Sequence, residues 1–298
     1  DNNIFFEVSP QKILRLLNDG YYLNDILREA KKPDIYFSYG LPIFYSIAEI
    51  NWFHVSNALT LRTKGIDLKI SKRIEMSILK NRILSSLMHA NIVTAESQYA
   101  LGLVKKNSCY NFYTSILPNG FDVNEFEYIG CKKSDYQSYA ITIGSYKYKK
   151  LLVAYNLFKE LNKLGNKLEK FIIVGDIKDV PSSLLSNRDV VVDRCDNRDD
   201  LVNLLSYAKY YISASQIENS SIAALEGLIL SDNIAISNIP SHYEMLEKIP
   251  YKVILEPQSD TQFLVAKNSE KILDNFNFSW DHSTDQLYKI LHNYNESL

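Results

Sequence analysis

Between residues 139 and 237 the chain repeats one pattern: a short apolar run, a polar break, then a longer stretch whose apolar residues recur at helical spacing. Tyr139 to Ile143, Lys170 to Val174, Asp189 to Val192, Tyr210 to Ala214 and Ile234 to Ser237 read as buried strands. Leu151 to Leu164, Leu201 to Ala208 and Ser221 to Leu230 read as the helices between them. Such alternation predicts a parallel sheet wrapped by helices, with ligands bound beyond the carboxyl ends of the strands. Upstream the same pattern is looser. Asp34 to Tyr39 predicts a strand, Ile47 to Val55 a second strand ending near His54, and Lys69 to Met88 a long helix with Ile70, Ile74 and Ile78 on one stripe. Asn91 to Ser97 predicts a strand entering a helix that starts near Gln98. Ahead of these lie one short apolar run and a helix-like stretch, Gln11 to Leu17. Glu127 to Ser138 is polar and aperiodic and reads as an interdomain linker, and residues 279–298 as a terminal helix.

The segment after the Tyr210 strand carries candidate chemistry: Glu218-Asn219-Ser220-Ser221-Ile222-Ala223-Ala224-Leu225-Glu226-Gly227. It reads as a turn running into a helix, with Glu218 at the helix mouth and Glu226 about two turns further in. Asn219, Ser220 and Ser221 are strong N-cap types, and a helix start leaves unpaired amides and a partial positive charge suited to a diphosphate. Glu218 can accept hydrogen bonds from sugar hydroxyls and Glu226 from a ribose. The plain alternative is an amphipathic helix with Ile222, Leu225 and Ile229 on its core face.

With Ile234 to Glu244, this segment resembles the donor-binding region of the retaining, two-Rossmann-domain glycosyltransferases of the group 1 (family four) type, which have the GT-B fold. Further matches occur in the family's order. Leu117-Pro118-Asn119-Gly120-Phe121-Asp122, ending at Phe126, resembles its Pro-Asn-Gly segment; Ile141-Thr142-Ile143-Gly144 with Lys149-Lys150 resembles the strand and phosphate loop opening the second domain; Phe171 to Asp176 resembles its Ile-Val-Gly-Asp strand end. The resemblance implies an α/β chain with an N-terminal acceptor-side domain at 1–133, a nucleotide-sugar domain at 134–278, and a helix at 279–298 returning to the first. A full first domain of the family begins with a strand and a glycine-rich turn, and none of the ten glycines here forms such a cluster, so a truncated or reduced first domain is expected.

For chemistry the resemblance implies a metal-independent, hexosyltransferase-like enzyme using a UDP- or GDP-linked sugar and a glycan or lipid-linked acceptor, in bacterial surface polysaccharide synthesis. The catalytic candidates are Glu218, on donor-sugar hydroxyls; Lys150, on the leaving diphosphate; and His54, at the position where many members contact the transferred sugar. The donor-binding candidates are Glu226, Asn219, Ser220, Ser221, Ile222, Gly144, Ser145, Asn119, Gly120, Gly175 and Arg194. Ser145 departs from the family, which commonly has arginine there; Lys147 or Lys149 are substitutes, but a lysine cannot reproduce bidentate phosphate contact. His242 reads as holding its own loop. The nearest approach to a metal-binding Asp-x-Asp pair, Asp193-Arg194-Cys195-Asp196, has the wrong spacing. The alternative is a non-catalytic GT-B subunit supporting an active partner. A dinucleotide-dependent oxidoreductase would need a Gly-x-Gly-x-x-Gly fingerprint, which is lacking.

Composition narrows the setting. A net charge of -2 gives no basic excess for nucleic acid, and three scattered cysteines (Cys109, Cys131, Cys195) suit neither a disulfide framework nor a zinc site. No apolar run is long enough to span a bilayer and no secretory signal is evident, which reads as cytoplasmic. From Arg62 to Arg82 seven basic residues stand against two acidic ones, interleaved with Ile66, Leu68, Ile70, Ile74 and Ile78. That segment reads either as one solvated helix face or as a patch for an anionic membrane surface, at the inner face where the resembled enzymes extend lipid-carried glycans.

Overall fold

The computed structural model describes residues 33–120, 138–247, 253–256, 263–267 and 279–298. The helix expected at Gln11 to Leu17, the segment from Phe121 to Phe126, Cys131 and the linker up to residue 137 lie outside them. The chain divides into two compact units. One comprises residues 33–63, Ile70–Leu117 and Leu287–Leu298; the other, Lys64–Lys69 and Pro118–Gln286.

The first unit is a four-stranded parallel sheet, β1 (Ile35–Tyr39), β2 (Ile50–Val55), β3 (Ile92–Ala95) and β4 (Tyr113–Ile116), paired in chain order. Trp52 and Ile92 form its core with Leu117 and with Ile290 and Tyr294 near the C-terminus. β2 starts three residues later than the apolar run from Ile47 suggests. Asn51 Oδ1 accepts from the amides of Ile47 (3.0 Å) and Ala48 (3.2 Å) and folds that stretch into a turn. Helix α1 (Ile70–Leu87) carries the expected isoleucine stripe, but the stripe faces solvent: Ile70, Ile74 and Ile78 are 80%, 58% and 37% exposed. Its buried face is Met76, Ile83, Ser86 and Leu87, with Ser86 Oγ accepting from the Ile43 amide. Helix α2 (Gln98–Asn107) is capped by Ser97, whose hydroxyl accepts from the Ala100 amide.

In the second unit β5 (Tyr139–Ile143), α3 (Leu151–Lys163), β6 (Lys170–Val174), α4 (Ser182–Leu185), β7 (Val190–Asp193), α5 (Arg198–Ser206), β8 (Tyr210–Ser213), α6 (Ile222–Leu230), β9 (Asn233–Ser237) and α7 (Pro240–Glu247) follow in sequence. The sheet order is β10-β11-β9-β8-β5-β6-β7, where β10 (Val253–Glu256) and β11 (Phe263–Lys267) add antiparallel strands at one edge. The sequence pattern assigned no strand to these two. Strands β5 to β9 are parallel, so the loops after them emerge at one edge of the sheet. The chain runs from β5 outward through β6 and β7, then returns to the other side of β5 with β8 and β9. The order therefore reverses between β5 and β8, the topological switch point where ligands bind in sheets of this type. The last helix, α8 (Trp280–Glu296), begins in this unit and contributes Ile290 and Tyr294 to the core of the first.

Helix α6 is apolar all round and buried from Ala224 to Leu230, so Glu226 is carried into the core by its neighbours. Gly227 lets it in: a Cβ there would sit 2.2 Å from Cγ of the fully buried Tyr211 ring. We predict that Gly227→Ala destabilises the unit by about 3 kcal/mol, since overpacking a fixed ring outweighs the roughly 1 kcal/mol gained in helix propensity. A urea titration checks this; an unchanged midpoint would show that the ring moves aside.

Candidate functional site

The site is built on the loops after β5, β6, β8 and β9. After β8 the chain passes through Ser215, Gln216 and Glu218 to Ser221, the N-cap of α6, whose hydroxyl accepts from the Ala224 amide at 3.2 Å. The Ile222 amide is already bonded to the Ser220 carbonyl at 3.0 Å, so not every first-turn donor faces outward. After β5, Gly144 takes a positive φ and the chain tightens into a turn over Lys147–Lys149, with Lys150 left-handed (φ 52°) at the start of α3.

These two loops meet across the switch point. Lys149 Nζ donates to Glu218 Oε1 at 2.6 Å, with the two side chains only 12% and 14% exposed. The Gln216 amide donates to the Tyr148 carbonyl at 2.9 Å, fixing one loop to the other. Lys150 is not the lysine on Glu218; it pairs with Asp67, whose own amide donates to Gln216 Oε1 at 2.8 Å. Burial raises the Tyr148 phenol above its usual range, and the Glu218 carboxylate adds to that.

Ser145, at the position where the resembled family commonly has arginine, is buried. A Cβ on Gly175 would fall 2.9 Å from Ser145 Oγ and 3.0 Å from its Cβ, so the loops after β5 and β6 pass closely with only the small Ser145 side chain against Gly175. Glu226 is 4% exposed and is held by Arg198 at the first position of α5, Nη2 to Oε1 2.5 Å. Sequence reading missed Arg198 by starting this helix at Leu201. The available signal was the cap, since Asn197 Oδ1 accepts from the Asp200 amide at 2.8 Å and so starts the helix three residues earlier.

Glu218, Asn219, Ser220, Ser221, Ile222, Gly144, Ser145, Gly175 and Lys150 thus lie on the carboxyl-edge loops of the second unit, with Glu226 behind them. Arg194 lies on the loop after β7, 87% exposed, 3.6 Å from Asp196. Beside it burial, then Asp193, pushes the Cys195 thiol up to about 12, so it stays protonated. Gly120, next to Asn119, lies against the Trp280 backbone at the start of α8.

His54 belongs to the first unit. It is 1% exposed, with Nδ1 2.9 Å from Thr94 Oγ1, which itself accepts from Trp52 Nε1 at 2.8 Å. Tyr39 stacks on the imidazole at 4.7 Å and donates to the buried Glu96 at 3.0 Å. Glu96 Oε1 is 3.9 Å from His54 Nε2, which has no hydrogen-bond partner among the described residues. Tyr39 and Glu96 were not among the residues singled out from sequence.

No protein-family model and no curated protein matches this chain. Among solved structures it is similar to a sucrose-phosphate synthase from Thermosynechococcus elongatus, at 11% identity and TM-score 0.60, over 89% of this chain and 74% of that one. It is also similar to a UDP-forming α,α-trehalose-phosphate synthase from Burkholderia vietnamiensis, at 10% identity and TM-score 0.54, over 81% and 68%. A trehalose-6-phosphate protein from E. coli bound with UDP-2-fluoro glucose matches at 12% identity and TM-score 0.51, over 93% and 74%. At these identities the likeness concerns the fold: the chain has the α/β architecture of GT-B glycosyltransferases.

Proposed function

We propose that the second unit binds a nucleotide-diphosphate sugar and that the chain is a retaining glycosyltransferase acting on a glycan or lipid-linked acceptor, in bacterial surface polysaccharide synthesis. The observation carrying this reading is the Lys149 to Glu218 ion pair at the switch point, beside the N-terminus of α6. A cation, a capped helix start and a carboxylate at that edge supply the parts a diphosphate sugar needs. An arriving diphosphate competes with Glu218 for Lys149, freeing the carboxylate to accept from the sugar hydroxyls. Lys150 follows the β5 turn at the family's lysine position and adds charge once it leaves Asp67. Glu226, oriented by Arg198, receives the ribose. In this reading lysines and the helix pole neutralise the leaving diphosphate and no metal ion takes part.

The second reading, a non-catalytic GT-B subunit, is favoured by one observation: Ser145 is packed against Gly175, leaving no guanidinium for the phosphates. Thermal shift with UDP-, GDP- and dTDP-sugars separates the two, and no stabilisation by any of them rejects the enzyme. We expect Glu218→Ala and Lys150→Ala each to lower kcat/KM about 100-fold with the fold intact, the scale seen when one charge-stabilising group is removed. Unchanged turnover in both overturns the role assignment. Lys149→Ala should weaken binding of free UDP or GDP, whichever the wild type takes.

For α1, the exposed Ile70, Ile74 and Ile78, with Arg73 also exposed, support a peripheral site on an anionic cytoplasmic membrane face. Among the described residues no helix is long and apolar enough to cross a bilayer. The chain should pellet with phosphatidylserine vesicles at low salt and lose that binding in Ile74→Ser; wild type left in the supernatant rejects the idea.

A further inference from the structure

His242 lies in α7, just after β9, at the same sheet edge as the loop bearing Glu218. It is fully buried, at 0% exposure. Its Nδ1 is 2.9 Å from the Ser237 carbonyl oxygen, an atom that only accepts, so Nδ1 carries the proton and Nε2 presents a lone pair. Nε2 has no hydrogen-bond partner among the described residues, and the same holds for Oγ of the adjacent Ser241, 4% exposed. Leaving a buried acceptor unpaired is costly, so such an atom calls for an account.

Its surroundings supply one. Ser237 Oγ donates to the Ser215 carbonyl at 2.6 Å, tying the His242 anchor to the loop that leads to Glu218. Burial lowers the imidazole's pKa; the Glu218 carboxylate acts against that and the Lys149 ammonium with it, which places the ring in the electrostatic neighbourhood of the ion pair. His242 is thus neutral and held in one tautomer, with a single acceptor atom uncommitted. This exceeds the loop-holding role expected from sequence, which only Nδ1 performs.

We propose that His242 is a sugar-recognition residue whose Nε2 accepts a hydrogen bond from a hydroxyl of the donor's sugar, next to the hydroxyl taken by Glu218. The inference rests on the nucleotide-sugar reading of this site. Two acceptors, one charged and one neutral, select a sugar with two hydroxyls suitably disposed. A donor lacking one of them leaves Nε2 unpaired and is bound less tightly.

The test compares free UDP and GDP with UDP-glucose, UDP-galactose and GDP-mannose, by titration calorimetry on the full chain. His242→Asn keeps a donor for the Ser237 carbonyl and removes Nε2; His242→Gln can return an acceptor near the Nε2 position. His242→Asn is expected to bind the nucleotide as wild type does but the preferred nucleotide sugar about tenfold or more weakly, with partial recovery in His242→Gln. Equal affinity of wild type and a folded His242→Asn for that nucleotide sugar overturns the proposal. In case both variants unfold, 15N NMR of wild-type imidazoles decides: the Nε2 resonance of His242 should move with the nucleotide sugar and not with the nucleotide alone. Nucleotide-sugar binding with an unmoved Nε2 overturns the role of His242 only. A wild type that binds none of the five ligands overturns the site reading itself, and this role with it.

Discussion

The ion pair between Lys149 and Glu218 is the interaction on which the site depends. It joins two loops that leave the sheet on either side of its reversal point. Because both groups are largely shielded, their attraction is screened less than that of a surface pair, and removing one partner leaves a poorly solvated charge. Around it the Gln216 amide holds the Tyr148 carbonyl, and Ser221 starts α6 at the right residue. The result is a charged pair kept at a helix mouth, where an anion can exchange for one of its members.

Glu226 shows the same economy one layer deeper. A carboxylate in a helix otherwise made of Ala, Leu, Ile and Gly is expensive to bury unless something meets its charge, and Arg198 does so from the first turn of α5. The close fit of Gly227 on Tyr211 keeps α6 near enough to the sheet for that contact. Packing, not the glutamate's own preference, decides where its charge resides.

Much of this was legible in the residues. The alternating apolar runs placed β5 to β9, and hence the parallel order, because fully buried strands leave an uninterrupted hydrophobic record. The capped helix with Glu218 and Glu226 was visible because caps and helix spacing are local properties. Partners distant in sequence were not: which lysine meets Glu218 depends on a left-handed Lys150 and a tight turn, and Arg198 reaches across from another helix. The isoleucines of α1 show a further limit. Regular spacing reveals a stripe but not what covers it, and here the core took Met76, Ile83 and Leu87 instead. Strands β10 and β11 escaped notice because they pair antiparallel at the edge, outside the alternating pattern.

Ser145 and Gly175 are a matched pair of small residues, and the match restricts how this lineage can change. An arginine introduced at 145 would start from a Cβ already pressed on the neighbouring loop, with a long side chain to lead out of a closed space. Placing a forked cation there therefore requires loosening the second loop as well, which couples the two positions. With that route obstructed, a cation reaches this edge of the sheet from the lysine turn instead, where Lys149 and Lys150 already stand.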